Sequence, residues 1–255
     1  MSPVRHLREL LSASAADTRG PLLGTFTKLA HPDVTAILAL AGFDFVVIDM
    51  EHAPLGPAEV HHLIGSALGA GLPPLVRVPN QDLSTVGRVL DSGAHGVLVP
   101  HVTSARQAAA LVDAAQLPPT GSRGFGPTVR AGSFGCDLAG YLRSSEQAVV
   151  IPQIEDPDAV AECAAIAETP GIDHVFVGLA DLAASTQLRA GHPDLTALLE
   201  KIRDTAGAAG VLVGTGVSGD RPPRPPLGLE TTSFMTVSND ASLLLAAGRS
   251  ITGSL

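Results

Sequence analysis

Eight short apolar runs rich in Val, Ile and Leu recur along this chain of 255 residues, in alternation with stretches of helical spacing. The runs fall at 22–26, 45–48, 74–78, 96–99, 148–154, 174–177, 211–213 and 233–237. Several are continuous rather than alternating, which is how a strand covered on both faces reads. Between them, His31-Pro32-Asp33 opens a helix to about Leu40, which Gly42 closes. Val60, Leu63, Ile64, Ala67 and Leu68 recur at helical spacing behind Pro57, and Leu83, Val86, Val89 and Leu90 mark the next helix. Ser104 caps a helix to about Ala115, and Asp194 caps one over 195–209. Shorter helices are predicted at 137–142, 158–167 and 241–247, with a helix and polar lead-in over 1–20. Strand and helix alternating eight times predicts an α/β fold, a parallel (β/α)8 barrel forming one domain over 1–255. The alternative is an open doubly wound sheet. No G-x-G-x-x-G stands in a strand-to-helix turn, so no dinucleotide site is expected.

The net charge of -9 argues against a general nucleic-acid or membrane-surface role. With no Trp and one Tyr, the chain also lacks a stacking platform for single strands. No stretch approaches the ~20 apolar residues of a membrane span. Charged residues Arg5, Arg8 and Glu9 interrupt the N-terminus before a signal-like run develops. Cys136 and Cys163 have no metal-type spacing, so reduced thiols in a cytoplasmic protein are expected. The connection 118–135 is long and Gly-rich, which suits a functional loop or lid. Arg221 to Pro226, R-P-P-R-P-P, reads as a surface loop.

In a barrel, catalytic groups come from the C-terminal ends of several strands. Polar residues recur at those ends: Asp49, Glu51 and His52 after the second strand, Arg77 after the third, Gln153 and Glu155 after the fifth, Asp181 after the sixth. Any one of them reads equally well as a solvated rim charge. Together they suit metal-assisted enolisation. Glu155 and Asp181 are two carboxylates from neighbouring strands, a donor set for a hard divalent ion. A 2-oxo acid can chelate such an ion, which then acts as a Lewis acid toward the enolate. Arg77 adds positive charge where the oxyanion develops. His52 is the natural base near neutral pH, and a carboxylate such as Asp49 can orient its ring.

These residues lie in motifs that resemble the class II pyruvate aldolases, the group of 4-hydroxy-2-oxoheptane-1,7-dioate and 2-keto-3-deoxy-sugar-acid aldolases. The motifs are G-F-D-F-V-V-I-D-M-E-H-A-P at 42–54, V-R at 76–77 and L-D-S-G-A-H-G-V-L-V-P at 90–100. P-P-T-G-S-R-G-F-G at 118–126, Q-I-E at 153–155 and G-I-D-H-V-F-V-G-L-A-D-L at 171–182 complete them. The resemblance spans roughly 20–210 and implies a barrel of the phosphoenolpyruvate/pyruvate-domain type. It implies His52 as base, with Asp49 and Asp91 raising its basicity, and Arg77 as enolate stabiliser. It further implies Glu155 and Asp181 on Mg2+, Mn2+ or Co2+, with pyruvate bound by Gln153 and the backbone around Ala180 and Asp181. The implied assembly is a hexamer, a trimer of dimers exchanging a C-terminal helix. The implied substrates are a 2-oxo acid and an aldehyde. The chain departs from the family pattern at Leu179, where Pro is usual, and at Ala183, where Ser is usual. The match fades after residue 214, where the last helix looks short.

Other readings stand beside these. Asp91 is also an ordinary residue at a helix end, and Glu51 can simply satisfy buried backbone groups. Arg123 can bind the far end of a substrate or brace its loop, and Phe26 can meet the pyruvate methyl group or fill the core. His61, His62, His95 and His174 read as surface or structural, whereas His101 follows a strand and can approach the site. A Schiff-base aldolase needs a desolvated lysine, and only Lys28 and Lys201 exist. Citryl- or malyl-type acyl-CoA lyases on a similar barrel tend to have an acid in place of His52. An oxaloacetate decarboxylase and a catalytically inactive barrel acting as a binding module are further alternatives.

Overall fold

The strand sequence closes on itself. In the computed structural model, which describes residues 5–14, 20–189, 191–217 and 223–253, eight parallel strands pair in chain order and β8 returns to β1. They are β1 (Leu22–Thr27), β2 (Phe45–Asp49), β3 (Pro74–Arg77), β4 (Gly96–Val99), β5 (Val149–Ile154), β6 (His174–Val177), β7 (Leu212–Val217) and β8 (Phe234–Asn239). The helices are α1 (Leu7–Ser14), α2 (Pro32–Leu40), α3 (Pro57–Gly69), α4 (Leu83–Asp91), α5 (Ala105–Ala115), α6 (Leu138–Glu146), α7 (Pro157–Ala161), α8 (Cys163–Ala167), α9 (Leu179–Thr186), α10 (Pro193–Ala208) and α11 (Asp240–Thr252). The expected (β/α)8 barrel is the fold. None of the described helices is long and apolar enough to cross a membrane.

Local chemistry explains most element ends. Ser104 caps α5 through Gln107 N, Asp137 caps α6 through Gly140 N, and Pro57 starts α3. Four expectations are corrected. The cap of α10 is His192, whose ring accepts from Asp194 N, because Pro193 occupies the first helical position and places the cap two residues before the expected Asp194. The helix expected over 158–167 breaks at Glu162 into α7 and α8. Leu179 to Thr186 is helical, a helix that the sequence reading does not include. The last helix is long, because Asn239 caps it and it runs to Gly253 in left-handed conformation. Of the R-P-P-R-P-P stretch, Arg221 and Pro222 lie outside the described residues, and the remainder is loop.

The strands bury both faces, with period two dividing the residues. Phe45, Val47, Leu75, Leu98, Val149, Ile151, Phe176 and Phe234 form one cluster inside the barrel. Ile48, Val76, Val97, Val99, Val150, Val175 and Val177 pack outward in a second cluster with the helices. Two aromatics fill the interior because glycines face them. A Cβ on Gly24 would lie 2.4 Å from the Phe45 ring, and one on Gly214 would lie 2.1 Å from Phe234.

Helix α1 closes the N-terminal end of the barrel. Leu7 and Leu11 complete the inner cluster, and Arg8 donates to the carbonyls of Gln147 and Ala148 and pairs with Asp173. Three histidines are packed there: His6 stacks on His95, and His174 lies edge-on to Phe234. Burial, aided by nearby Arg8, lowers His6 to about 4. Burial, with the His6 charge adding to it, lowers His95 to about 3. Burial likewise lowers His174 to about 4, against the pull of Asp173. Neither ring nitrogen of His174 has a hydrogen-bond partner.

Acid should therefore destabilise this end. The unfolded chain takes up protons near the ordinary histidine value of 6.5, while folded His174 resists them until about 4. Stability rises with pH between those values and is lost as pH falls through the window, on the order of 3 kcal/mol for one such group. His174→Leu removes that titration without breaking a hydrogen bond. We expect its Tm at pH 7 to match or exceed wild type, and its fall in Tm between pH 6.5 and 4 to be shallower. Parallel Tm curves for the two proteins would show that His174 does not carry this dependence.

Candidate active site

The inward rows end in polar residues at the C-terminal rim. Phe45, Val47 and Asp49 step by two along β2, as do Leu75 and Arg77 on β3, and Val149, Ile151 and Gln153 on β5. Strand register sets Asp49 beside Arg77. Arg77 Nε donates to Asp49 Oδ1 at 2.9 Å and Nη2 to Oδ2 at 2.8 Å. Nη1 lies 3.0 Å from Glu51 Oε2, and the guanidinium carbon sits 4.5 Å from the Phe26 ring centroid. Burial alone would raise the Asp49 carboxyl, but hydrogen bonds and charge from Arg77 outweigh it and hold the group below its ordinary range. Asp49 Oδ1 also accepts from the main-chain N–H groups of Glu51 and His52, which shapes the D-M-E-H turn.

Above this layer opens a cavity of about 620 Å³. Arg77, Gln153, Phe26 and the start of α9 from Gly178 to Asp181 line one side; Arg224, Asn239 and Ser242 line another. Glu155 is 2% exposed just past β5. Its Oε1 accepts from His101 N at 2.7 Å and lies 2.9 Å from His101 Nδ1, while Oε2 accepts a close hydrogen bond from the Gln153 amide. Burial, with the Asp181 charge adding to it, pushes the Glu155 carboxyl up despite these donors. Gly178 is required here: a Cβ would stand 2.7 Å from Glu155 Cβ and 2.9 Å from Oε2.

The rim thus gathers Asp49, Glu51, Arg77, Gln153, Glu155, Ala180 and Asp181. It does not gather everything expected. His52 is exposed, and the carboxylate facing its ring is Glu51, at 3.9 Å from Nε2. Neither Asp49 nor Asp91 lies within ion-pair reach of that ring in this chain. Asp49 is already committed to Arg77, to Lys28 at 3.3 Å and to the turn backbone. Asp91, at the end of α4, is held by Arg123 and by the Tyr141 hydroxyl. Arg123 is buried in this brace behind the loop and does not line the cavity. Lys28 is partly exposed and paired with Asp49 rather than desolvated in an apolar pocket, and Lys201 is an exposed residue of α10. His95 and His174 are structural at the opposite end of the barrel.

Three features of the site are absent from the sequence reading: the Glu51–His101 contact of 3.4 Å, Arg224 on the cavity wall, and the close approach at Gly178. For Gly178 a signal existed, since it continues the inward row of His174 and Phe176 by two residues. Arg224 had none, because nothing local distinguishes a loop arginine that overhangs a cavity.

Comparison with known proteins agrees with this geometry. Residues 22–224 match the family described as HpcH/HpaI aldolase/citrate lyase. A 5-keto-4-deoxy-D-glucarate aldolase from Salmonella gallinarum (strain 287/91 / NCTC 13346) is 36% identical over 190 residues, covering 74% of each chain. A hydroxypyruvate/pyruvate aldolase from Pseudomonas aeruginosa is 35% identical over 262 residues, covering 98% of this chain and 92% of the other. A solved structure of an HpcH/HpaI aldolase/citrate lyase family protein from Burkholderia cenocepacia J2315 superposes with a TM-score of 0.86 at 34% identity, over 96% of this chain and 98% of that one. The chain belongs to the HpcH/HpaI aldolase/citrate lyase family and is a carbon–carbon lyase of the aldolase kind.

Proposed function

We propose that the protein cleaves and forms 4-hydroxy-2-oxo acids, with the enolate of pyruvate or a related 2-oxo acid as donor and an aldehyde as acceptor. The observation that carries this reading is a buried, forked guanidinium at Arg77 sharing one cavity with Gln153 and Asp181, with Glu155 directly behind Gln153. The names of two relatives support it. 5-Keto-4-deoxy-D-glucarate is itself a 4-hydroxy-2-oxo acid, and the other relative is named for hydroxypyruvate and pyruvate.

Glu155 and Asp181 fit a divalent cation. Burial chiefly, with the neighbouring Asp181 charge adding to it, raises the Glu155 carboxyl, and a cation held by both carboxylates would offset that cost. Their oxygen donors suit Mg2+, Mn2+ or Co2+. Among the described residues no three His, Cys, Asp or Glu side chains form a closed metal cage, which leaves coordination positions for substrate oxygens and water. The chemistry supplied by such a cation is neutralisation of charge on the 2-oxo oxygen.

The chain's own groups do the rest. Arg77 gives two of its five N–H donors to Asp49 and pairs with Glu51 through Nη1, and its remaining N–H donors suit the oxyanion. At the start of α9 the N–H groups of Leu179, Ala180 and Asp181 have no helical partners and suit the donor carboxylate. Leu179 supplies an N–H there that a proline would lack. Gln153 Oε1 is buried without a partner and is free to accept a hydrogen bond from a ligand or water. His52, at the rim, takes the proton from the C4 hydroxyl as the C3–C4 bond breaks, and returns one to C3 to give pyruvate. The acceptor end is the wall with Arg224, which has no ion-pair partner among the described residues and suits an aldehyde that carries a carboxylate. A homo-oligomer, a hexamer by resemblance, would cover Leu244, Leu245 and Ile251, which α11 leaves exposed.

Proton NMR of pyruvate in deuterated solvent with Mn2+ or Mg2+ tests the base without any aldehyde. Wild type should exchange the methyl protons, and His52→Ala should do so ~10²–10⁴-fold more slowly. Equal rates would remove His52 from the mechanism. Arg77→Lys retains charge but loses the fork to Asp49, and its kcat for aldol cleavage should fall by ~10²-fold or more. A change confined to KM would reduce Arg77 to a binding group. Arg224→Ala should lower kcat/KM for a carboxylate-bearing aldehyde by ~10-fold relative to a neutral aldehyde of the same length. An unchanged ratio would place acceptor recognition elsewhere.

A further inference from the structure

Glu51 and His101 have no part in the chemistry above, yet they connect its two halves. His101 follows β4 with φ of 58°, in the left-handed region that a side chain with a Cβ seldom enters. That conformation brings two of its groups onto one oxygen: the main-chain N–H at 2.7 Å and ring Nδ1 at 2.9 Å both meet Glu155 Oε1. The opposite ring nitrogen, Nε2, lies 3.4 Å from Glu51 Oε1. The second oxygen of Glu51 lies 3.0 Å from Arg77 Nη1. On the far side the Gln81 amide donates to the His101 carbonyl. Guanidinium, carboxylate, imidazole and carboxylate therefore form one chain running from Arg77 to Glu155.

Such a chain has physical consequences for a buried acid. Glu155 Oε1 is fixed from the His101 side and Oε2 from Gln153, so the carboxylate has one orientation. Hydrogen bonds behind a metal-binding side chain set its direction, and losing one typically weakens metal affinity 10–100-fold. The His101 side chain is 63% exposed, so it buries little apolar surface and adds little to core packing, while its partner Glu155 is 2% exposed. Its left-handed backbone costs stability. A residue that strains the backbone and contributes little to the fold is explained by what it holds in place.

We propose that His101 is a positioning residue: it fixes the Glu155 carboxylate for the cation, and Glu51 fixes the imidazole in turn. This rests on the reading of Glu155 as a cation-holding carboxylate. It also couples that carboxylate to Arg77, so the cation and the enolate-stabilising guanidinium share one support.

Calorimetric titration of the full chain with Mn2+, paired with Tm measurements, tests the assignment. His101→Gly keeps the main-chain N–H and tolerates the positive φ, but removes the ring. It should weaken Mn2+ binding by 10–100-fold with Tm unchanged or higher. His101→Asn also tolerates this backbone and restores a side-chain donor, so it should recover part of the affinity. Glu155→Gln is the control. If it loses Mn2+ while His101→Gly binds as wild type does, the positioning role is overturned and the metal assignment stands. If Glu155→Gln itself binds Mn2+ as wild type does, the metal assignment is overturned and the positioning role falls with it.

Discussion

The site depends on one buried fork, the two hydrogen bonds from Arg77 to Asp49 across neighbouring strands. A guanidinium that is 6% exposed is costly to bury without a partner, and Asp49, wholly buried, is that partner. Removing one member of such a pair typically costs about 3–5 kcal/mol, because the other is left as an uncompensated buried charge. The same carboxylate accepts from the N–H groups of Glu51 and His52. One aspartate thus orients the guanidinium inward and holds the backbone that presents the rim histidine. Everything else at the rim is arranged around a geometry that this pair fixes.

The barrel makes that geometry rigid by dividing its interior. Toward the N-terminal end, the inward rows are aromatic and aliphatic, and Leu7 and Leu11 of α1 seal them. One layer higher the same rows turn polar at Asp49, Arg77 and Gln153, so these side chains stand on a packed floor. Close approach does the remaining work, since Gly178 lets Glu155 and Gln153 lie against the start of α9. Positions on strands that are locked by packing vary less than positions on loops. The two histidines nearest Glu51, His52 and His101, lie beyond the strand ends and face solvent.

Much of this was legible before any coordinates. The strand positions, the cap at Ser104 and the proline start at Pro57 are local signals, and each holds. Arg77, Gln153 and Asp181 were recognised from their place at the ends of apolar runs, and they line a common cavity. Asp91 shows where that logic stops. Its motif suggested a partner for His52, whereas Arg123 and Tyr141 hold it, and both come from segments that only the long 118–135 connection and α6 bring there. The His192 cap was missed for a smaller reason: an Asp beside a Pro imitates the usual cap, and only the backbone angles show which residue precedes the first helical turn.

By itself, then, the sequence determined the element order, the closed parallel barrel and the set of polar groups at its C-terminal rim. It could do so because period two, period 3.6 and turn chemistry are properties of neighbours along the chain. Tertiary structure alone decided which rim groups pair. The link from Glu51 through His101 to Glu155 joins residues 50 and 54 positions apart, and the loop path alone places Arg224 over the cavity. Contacts at such separations are set by strand register and loop path, and ion pairing then selects among the carboxylates that those bring within about 4 Å.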